Sequence, residues 1–529
     1  MNARATTAAA GVNPWVVALT VTLATFMEVL DTSIANVALP HIAGSLAAGR
    51  SQSTWVLTSY LMANAVVLPL SGWFSHLIGR KRFYMTCVAL FTISSALCGM
   101  AHSLGELIFF RLLQGAGGGG LQPSEQGILV DTFSERQRGM AMAVYGVAVV
   151  VAPILGPTLG GWITDNYTWR WIFYINIPVG LVSLLLTSIV VRDPPYMDEE
   201  RARTRGQVFR IDYIGLGLIA LALGSLEVVY AKGQELDWFG SRFIITFMVL
   251  AAVGLAGAIA WELRHPQPIL NLGLLKDRNF MACGVLVYFV FAVLYGSTAM
   301  LPQMLQELFR YDATGAGLVM SPAAICTMVT MPIVGFLLGH KSDARWLIVF
   351  GLACVAGASY WQAHLNLEAS PYAIIIPRCA QMIGVGFLFV PLNAAAYMYL
   401  PKNQTTNASG LFNLLRNEGG SFGIALGTTM IDRRSQFHQF RLVENLHAAN
   451  PQVSESLGLL SGGAIDSVAG AADPTSRPAF AMLYRLVLQQ ARMMSYLDVL
   501  WLFAVFTALI VPLVFLMRRS VARDALVIH

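Results

Sequence analysis

Arg111-Leu-Leu-Gln114-Gly115-Ala-Gly117-Gly-Gly119, followed by Pro123, returns later in the chain as Arg378-Cys-Ala-Gln381, with Gly384, Gly386 and Pro391 at similar spacing. Three further echoes flank this one in the same order. Leu39-Pro40 reappears as Leu301-Pro302, and Pro69-Leu-Ser-Gly72 as Pro332-Ile-Val-Gly335, both at a shift of about 263 residues, and Gly156 and Gly160 align with Gly419 and Gly423. Four features in one order at nearly one shift imply an internal duplication.

The surroundings of the repeat say what kind of unit is duplicated. Of the 529 residues, 56% are apolar and only 12% charged, about half the charged share of an ordinary soluble domain. Apolar stretches of about 20 residues recur along the whole length, each able to cross a hydrocarbon core about 30 Å thick. Backbone in that core must satisfy its own hydrogen bonds, so the spans are helices. They are expected at roughly 15–37, 54–74, 83–102, 105–128, 140–163, 171–191, 212–231, 243–262, 281–304, 314–339, 346–364, 372–399, 408–431 and 497–517, which is about fourteen. The expected organisation is an N-terminal six-helix half (1–191), a linker with two inserted spans (192–280) and a C-terminal six-helix half (281–529) that includes an outer loop, 435–495. That loop holds a Gly/Ala/Ser-rich patch at Ser461–Ala472 and a helix-like run at Ala479–Met494, and it reads either as a plain connection or as a docking or lid element.

Lys and Arg in the short loops set the orientation. Arg80, Lys81, Arg82, Arg136, Arg138 and many later basic residues fall on one side, against Arg50, Arg170, Lys232, Arg242 and Arg310 on the other, a bias of roughly four to one. Both termini are therefore expected in the cytoplasm. The net charge of +5 is dispersed and forms no basic stripe, which excludes nucleic acid as a partner. Cys87, Cys98, Cys283, Cys326, Cys354 and Cys379 lie in apolar stretches without metal-ligand spacing and read as small core residues. No hydrolase triad, phosphate-binding loop or metal cluster is present, so an enzyme is not expected and no cofactor is implied.

Chemistry concentrates in a few spans. Glu28 and Asp31 stand three apart in the first and share one helix face. A carboxyl group in low dielectric tends to keep its proton, so such a pair can take up and release protons. Arg111 opens the fourth span with a permanent charge that needs an acceptor, either a first-span acid or a backbone carbonyl. The glycines after Gln114 permit close backbone approach. In the fifth span, Gly146 and Pro153-Ile-Leu-Gly156-Pro157-Thr-Leu-Gly160-Gly161 combine two bends with a flat packing face. Glu227, Arg378, Arg416 and Glu418 are further intramembrane charges; Arg416 and Glu418, two apart, point in different directions on a helix.

Parallel six-helix repeats with a site between them describe the major facilitator architecture. Leu30-Asp31-x-Ser33-Ile34-x-Asn36-Val37-Ala38-Leu39-Pro40 resembles the first-span signature of that superfamily's fourteen-helix drug:proton antiporters. Arg111-x-x-Gln114-Gly115 is similar to its proton-coupling motif, and Gly146 through Gly156-Pro157 and Gly160-Gly161 to its antiporter motif. With Gly233-Gln-Glu-Leu-Asp237-Trp238-Phe239, the resemblance is nearest to EmrB-like exporters and covers nearly the whole chain.

The resemblance implies proton-driven efflux of hydrophobic or amphipathic small molecules, with protons as coupling ion, from a bacterial inner membrane. It further implies a periplasmic adaptor and an outer-membrane channel as partners, besides membrane lipid. Asp31, Arg111 and Glu28 are the candidates for proton coupling. Asn36, Gln114, Gly115, Pro153, Gly156, Pro157, Gly160 and Glu418 are marked for the substrate cavity and its movements. The loop after the second span departs from the superfamily's Gly-x-x-x-Asp-Arg-x-Gly-Arg-Lys: His76 and Leu77 occupy the Asp-Arg positions, leaving Gly72, Gly79, Arg80 and Lys81 as the candidate cytoplasmic latch. Two other readings stay open: a membrane sensor or scaffold that keeps the fold without transporting, and a proton symporter importing a metabolite. A broad apolar cavity suits drugs, uncouplers, fatty acids and weak acids alike.

Overall fold

A computed structural model describes residues 13–194, 212–265, 268–340, 342–400, 404–444 and 477–519, with a few positions between 446 and 457. Among these the chain is helical throughout. The long helices are α1 (Pro14–Ser45), α2 (Trp55–Ile78), α3 (Arg80–Met100), α4 (Leu104–Gly118), α5 (Leu121–Thr132), α6 (Glu135–Asn166), α7 (Asn176–Val190), α8 (Tyr213–Lys232) and α9 (Arg242–Glu262). They continue as α10 (Arg278–Leu308), α11 (Ala313–Gly339), α12 (Ala344–Gln362), α13 (Pro371–Tyr397), α14 (Thr405–Glu444) and α15 (Arg477–Leu509). Asn13, Ser103, Asp212, Asp277, Asp312 and Asp343 cap helix starts by accepting a backbone N–H within the first turn, the bond an exposed helix start lacks.

Twelve helical segments among the described residues are long and apolar enough to span a membrane. The fourth and thirteenth crossings expected from sequence fall below that threshold and are nevertheless built into the bundle. The fourth is split at Gly119–Gly120 into α4 and α5, and the thirteenth is α14. The fourth falls short in length, its two pieces being 15 and 12 residues, and both crossings are polar. The first contains Arg111, Gln114, Gln122, Glu125 and Gln126, and the second contains Asn413, Arg416, Asn417 and Glu418, all inside the protein rather than against lipid.

Helices α1–α7 pack around one another, and α10–α15 do the same. The two sets meet along α6/α11, α2/α14 and α5/α14. Helix α8 lies against α2 and α14, on the seam between the sets, and α9 packs on α8. Trp261 Nε1 donates to the Asp212 carboxylate at 2.9 Å, tying one end of the α8/α9 pair. The outer face of α9 shows Val249 and Val253 to lipid.

The seams close because side chains are missing. A Cβ on Gly423 would stand 2.0 Å from the Ala292 carbonyl of α10, and one on Gly419 2.2 Å from that of Tyr288. Gly72 leaves room for Asn407, and Gly139 and Gly335 abut across α6 and α11. Gly79, at φ 97°, makes the α2–α3 turn in the left-handed region that other residues avoid.

The end of the chain departs from expectation. Much of the expected outer loop 435–495 is helix: α14 runs on to Glu444, and the run at Ala479–Met494 belongs to α15, continuous with the last span. At 1.5 Å per residue these helices of 40 and 33 residues are about 60 and 50 Å long, beyond a core about 30 Å thick. Polar contacts hold the extensions together: Arg492 bonds Asp432 (2.7 Å) and Glu307 (3.2 Å), and Arg434 and His438 both reach Asp498. The Ser461–Ala472 patch lies outside the described residues.

Gly423→Val is expected to destabilise by about 1–3 kcal/mol through overpacking against α10. Gly357→Ala, which meets nothing within 4 Å, serves as its control. Thermal unfolding of the purified variants checks this; equal melting temperatures would contradict the packing.

Candidate functional site

Asp31, 2% exposed on α1, is enclosed by three helices. Arg111 of α4 donates to its Oδ2 at 2.6 Å; Gln114 of α4 and Asn176 of α7 donate to its Oδ1 at 3.0 and 2.6 Å. Arg111 also gives Nε–H to the Val56 carbonyl (3.1 Å) and one N–H to Gln114 Oε1 (2.8 Å), so both acceptor types expected for it are used. Its guanidinium lies 4.4 Å from the Tyr60 ring centroid and 5.6 Å from that of Phe173. A fully buried ion pair is tolerable only with its remaining sites hydrogen-bonded, and this one is largely so.

The glycine run behind Arg111 lets the neighbours arrive. A Cβ on Gly115 would meet the Tyr60 carbonyl at 2.2 Å and one on Gly119 that of Asn64 at 2.6 Å, while Gly117 and Gly120 face Phe91 and Cys87 of α3. On the other side of α1, Ser33 donates to the Pro153 carbonyl at 2.9 Å, into the place a Gly156 side chain would take, and Gly160 packs on Ile34. Pro157 belongs to the same α6 stretch, whose next residue, Thr158, meets Gly317 of α11.

Glu28 shares the α1 face but has its own partners. It accepts from Tyr60 and Asn64 of α2 (both 3.2 Å) and from Gln122 of α5 (2.7 Å). Gln122 Oε1 accepts from Tyr145 at 3.2 Å, and the Tyr145 oxygen accepts from Arg416 of α14 at 2.7 Å. A hydrogen-bonded chain thus runs from an acid of the first helix set to a buried cation of the second. Tyr60 joins the two acids, with its hydroxyl on Glu28 and its ring under Arg111.

Three groups escaped the sequence reading. Glu125, fully buried on α5, accepts from Thr22 (2.6 Å) and Thr25 of α1. Gln126 bonds Asn393, Asn413 and Tyr397 of the second set. Asn176 completes the Asp31 shell. A polar residue every turn inside an apolar helix was the available signal for the first two. Nothing local marks Asn176.

Other nominated residues lie elsewhere. Asn36 is exposed on α1, and Glu418 sits against α8, away from Asp31. Gly72 touches the second helix set through Asn407. Arg80 pairs with Asp131, and Lys81 donates to the Ser188 carbonyl (2.7 Å) and, from its backbone, to Asp193 (2.8 Å). These last bonds brace the first set internally.

The duplication extends into side chains. Arg378 donates to Ser297 (3.0 Å), Thr298 (2.7 Å) and Gln381 Oε1 (2.6 Å), and Gln381 donates to Ser359 (3.2 Å). Arg111, Gln114 and Ser95 have their counterparts there, but the Leu39/Leu301 register puts Val293 at the position of Asp31, and the second arginine turns to Ser297 and Thr298 instead.

A bundle of two related helix sets, with buried charges between and within them, defines a polytopic membrane transporter. The chain belongs to the Major Facilitator Superfamily, whose family model matches residues 21–424. It is 38% identical over 452 residues to the multidrug export protein EmrB of Escherichia coli (strain K12), covering 84% of this chain and 86% of that one. Identity to the fatty acid resistance protein FarB of Neisseria gonorrhoeae is also 38%, over 445 residues, with 84% and 86% covered. Among solved structures, the proton:xylose symporter XylE shares the fold at a TM-score of 0.57 and 12% identity, with 94% and 96% covered.

Removing one member of the Asp31–Arg111 pair strands a buried charge. Arg111→Ala is therefore expected to cost about 3–5 kcal/mol and the neutral double variant Asp31→Asn/Arg111→Gln markedly less. Thermal unfolding of the single and double variants tests this, and strictly additive losses would contradict it.

Proposed function

We propose that this chain is a proton-coupled antiporter that exports hydrophobic or amphipathic small molecules across a bacterial inner membrane by alternating access. The observation that carries the reading is Asp31, buried in an apolar bundle and held by Arg111, Gln114 and Asn176. The activities for which EmrB and FarB are named, multidrug export and fatty acid resistance, support export as the direction and amphipathic compounds as the cargo.

Protonating Asp31 removes the charge that Arg111 neutralises, and the α1–α4 attachment weakens. Helix α1 is keyed into α6 through Ser33, Ile34, Gly156 and Gly160, and α6 meets α11 at Gly139/Gly335 and Thr158/Gly317. A shift of α1 is thereby passed to the seam between helix sets. The Glu28–Gln122–Tyr145–Arg416 chain and the Gln126–Asn413 bonds break and reform as that seam opens. Cargo in the cleft displaces the proton, and reprotonation from outside resets the carrier. A periplasmic adaptor and an outer-membrane channel complete the path in this reading.

Asp31→Asn keeps the side chain's size, turns one accepting oxygen into an amide donor and abolishes titration, so in folded protein substrate binding should survive while uphill transport in proteoliposomes under an imposed pH gradient stops. Arg111→Ala should uncouple likewise, and Arg111→Lys should recover little. Full proton-driven accumulation by Asp31→Asn rejects Asp31 as the coupling group.

The charge bias of the loops places both termini in the cytoplasm. A cysteine introduced at Ser467 should react with an impermeant maleimide in intact spheroplasts. Reaction only after the cytoplasmic face is opened reverses the topology.

A further inference from the structure

Glu227 and Glu418 take no part in the hydrogen-bonded groups around Asp31 and Glu28. Glu227, 3% exposed, is on the inserted helix α8; Glu418, 6% exposed, is on α14. Ser421, one turn beyond Glu418, donates to Glu227 Oε1 at 3.0 Å, which brings the two carboxyl groups to the same stretch of the α8/α14 seam, where they interact electrostatically. Both oxygens of Glu418 are buried without a hydrogen-bond partner. Among the described residues no cation is paired with either group: Arg416, two residues before Glu418, turns away to Tyr145. Tyr230 of α8, Tyr288 of α10 and Phe422 of α14 surround the pair, partly open, with Phe422 centred 6.3 Å from Tyr230 and 5.8 Å from Tyr288.

Two neighbouring carboxylates in a dry site cannot both be ionised without a counter-charge. They either share a proton or hold a cation. Unpartnered carboxylate oxygens beside aromatic faces are what a lipophilic ammonium or phosphonium ion needs, since ring faces attract a diffuse positive charge and carboxylates fix it. We propose that Glu227 and Glu418 form a binding site for lipophilic monocations, in which the arriving cation replaces the proton shared by the two carboxyl groups. The replacement keeps the site, cation included, at the net charge of minus one that the proton-sharing pair had, so the cation enters without adding charge to the bilayer. This names a substrate class for the proposed exporter and rests on that reading. It also gives the inserted helix α8 a part in recognition, at a place separate from Asp31.

The test uses the full chain in lipid nanodiscs, with tetraphenylphosphonium as the cation and Nile red as a neutral apolar probe. Tetraphenylphosphonium should bind the unaltered protein at neutral pH and release about one proton per cation into weakly buffered solution. Glu418→Gln and, separately, Glu227→Gln should lower the preference for tetraphenylphosphonium over Nile red by about tenfold or more and abolish the proton release. Melting curves report whether each variant is folded, and either variant alone suffices. Binding without proton release, absence of tetraphenylphosphonium binding, or an unchanged preference in a folded variant overturns the site. Because these readouts are taken at equilibrium without a gradient, loss of uphill export by the unaltered protein would sink the exporter reading and leave them untouched.

Discussion

A guanidinium and a carboxylate locked together in a nearly water-free interior set the terms for the first helix set. Asp31 and Arg111 can be buried only because most of their charge-bearing atoms find partners, and those partners come from three helices: Gln114 from α4 itself, Asn176 from α7, the Val56 carbonyl and Tyr60 ring from α2, all around α1. The glycines at 115 and 119 are a consequence, because the α2 backbone could not reach the pair past side chains. So is the Ser33–Gly156 contact, which holds the far side of α1 while its near side carries the charge.

The second helix set keeps the scaffold and omits the charge. Arg378, Gln381 and Ser359 repeat the first set's arrangement, with Val293 at the carboxylate's position and the Ser297 hydroxyl accepting from the arginine instead. A neutral partner leaves that arginine held by dipoles alone, so the buried carboxylate–guanidinium pair belongs to the first set only. The second contributes reach: Arg416 extends through Tyr145 and Gln122 to Glu28, and Asn393, Asn413 and Tyr397 converge on Gln126. Hydrogen bonds across a moving seam, rather than ion pairs, cost less to break and remake in each cycle.

The polar helices also explain a mismatch between hydropathy and architecture. Helix α14 falls short as an apolar span because it carries groups that face the interior, sheltered by the more apolar α10, and α4/α5, likewise polar, is also divided into pieces of 15 and 12 residues. At the opposite extreme, α14 and α15 outlast the membrane and are held together there by Arg492, Asp432, Arg434 and Asp498.

By itself the sequence determined the helical class, the duplication, the two inserted spans and the involvement of Asp31 with Arg111, because each is written in local composition or in spacing along one chain. Hydrophobic length, glycine spacing and a charge inside an apolar run need no knowledge of neighbours. Tertiary structure alone decided that Glu28 and Asp31, side by side on α1, belong to different hydrogen-bonded groups, since their partners come from different helices. It alone brought Asn176 to Asp31 across 145 residues and Glu227 to Ser421 across 194. It also decided that α14 runs on to Glu444 and that the helix-like run at Ala479–Met494 is continuous with the last span, supported by contacts of Arg492 with Glu307 and Asp432 that lie far away in the chain. Partners of a buried polar group are chosen by which backbones can approach, and that is a property of the packed bundle.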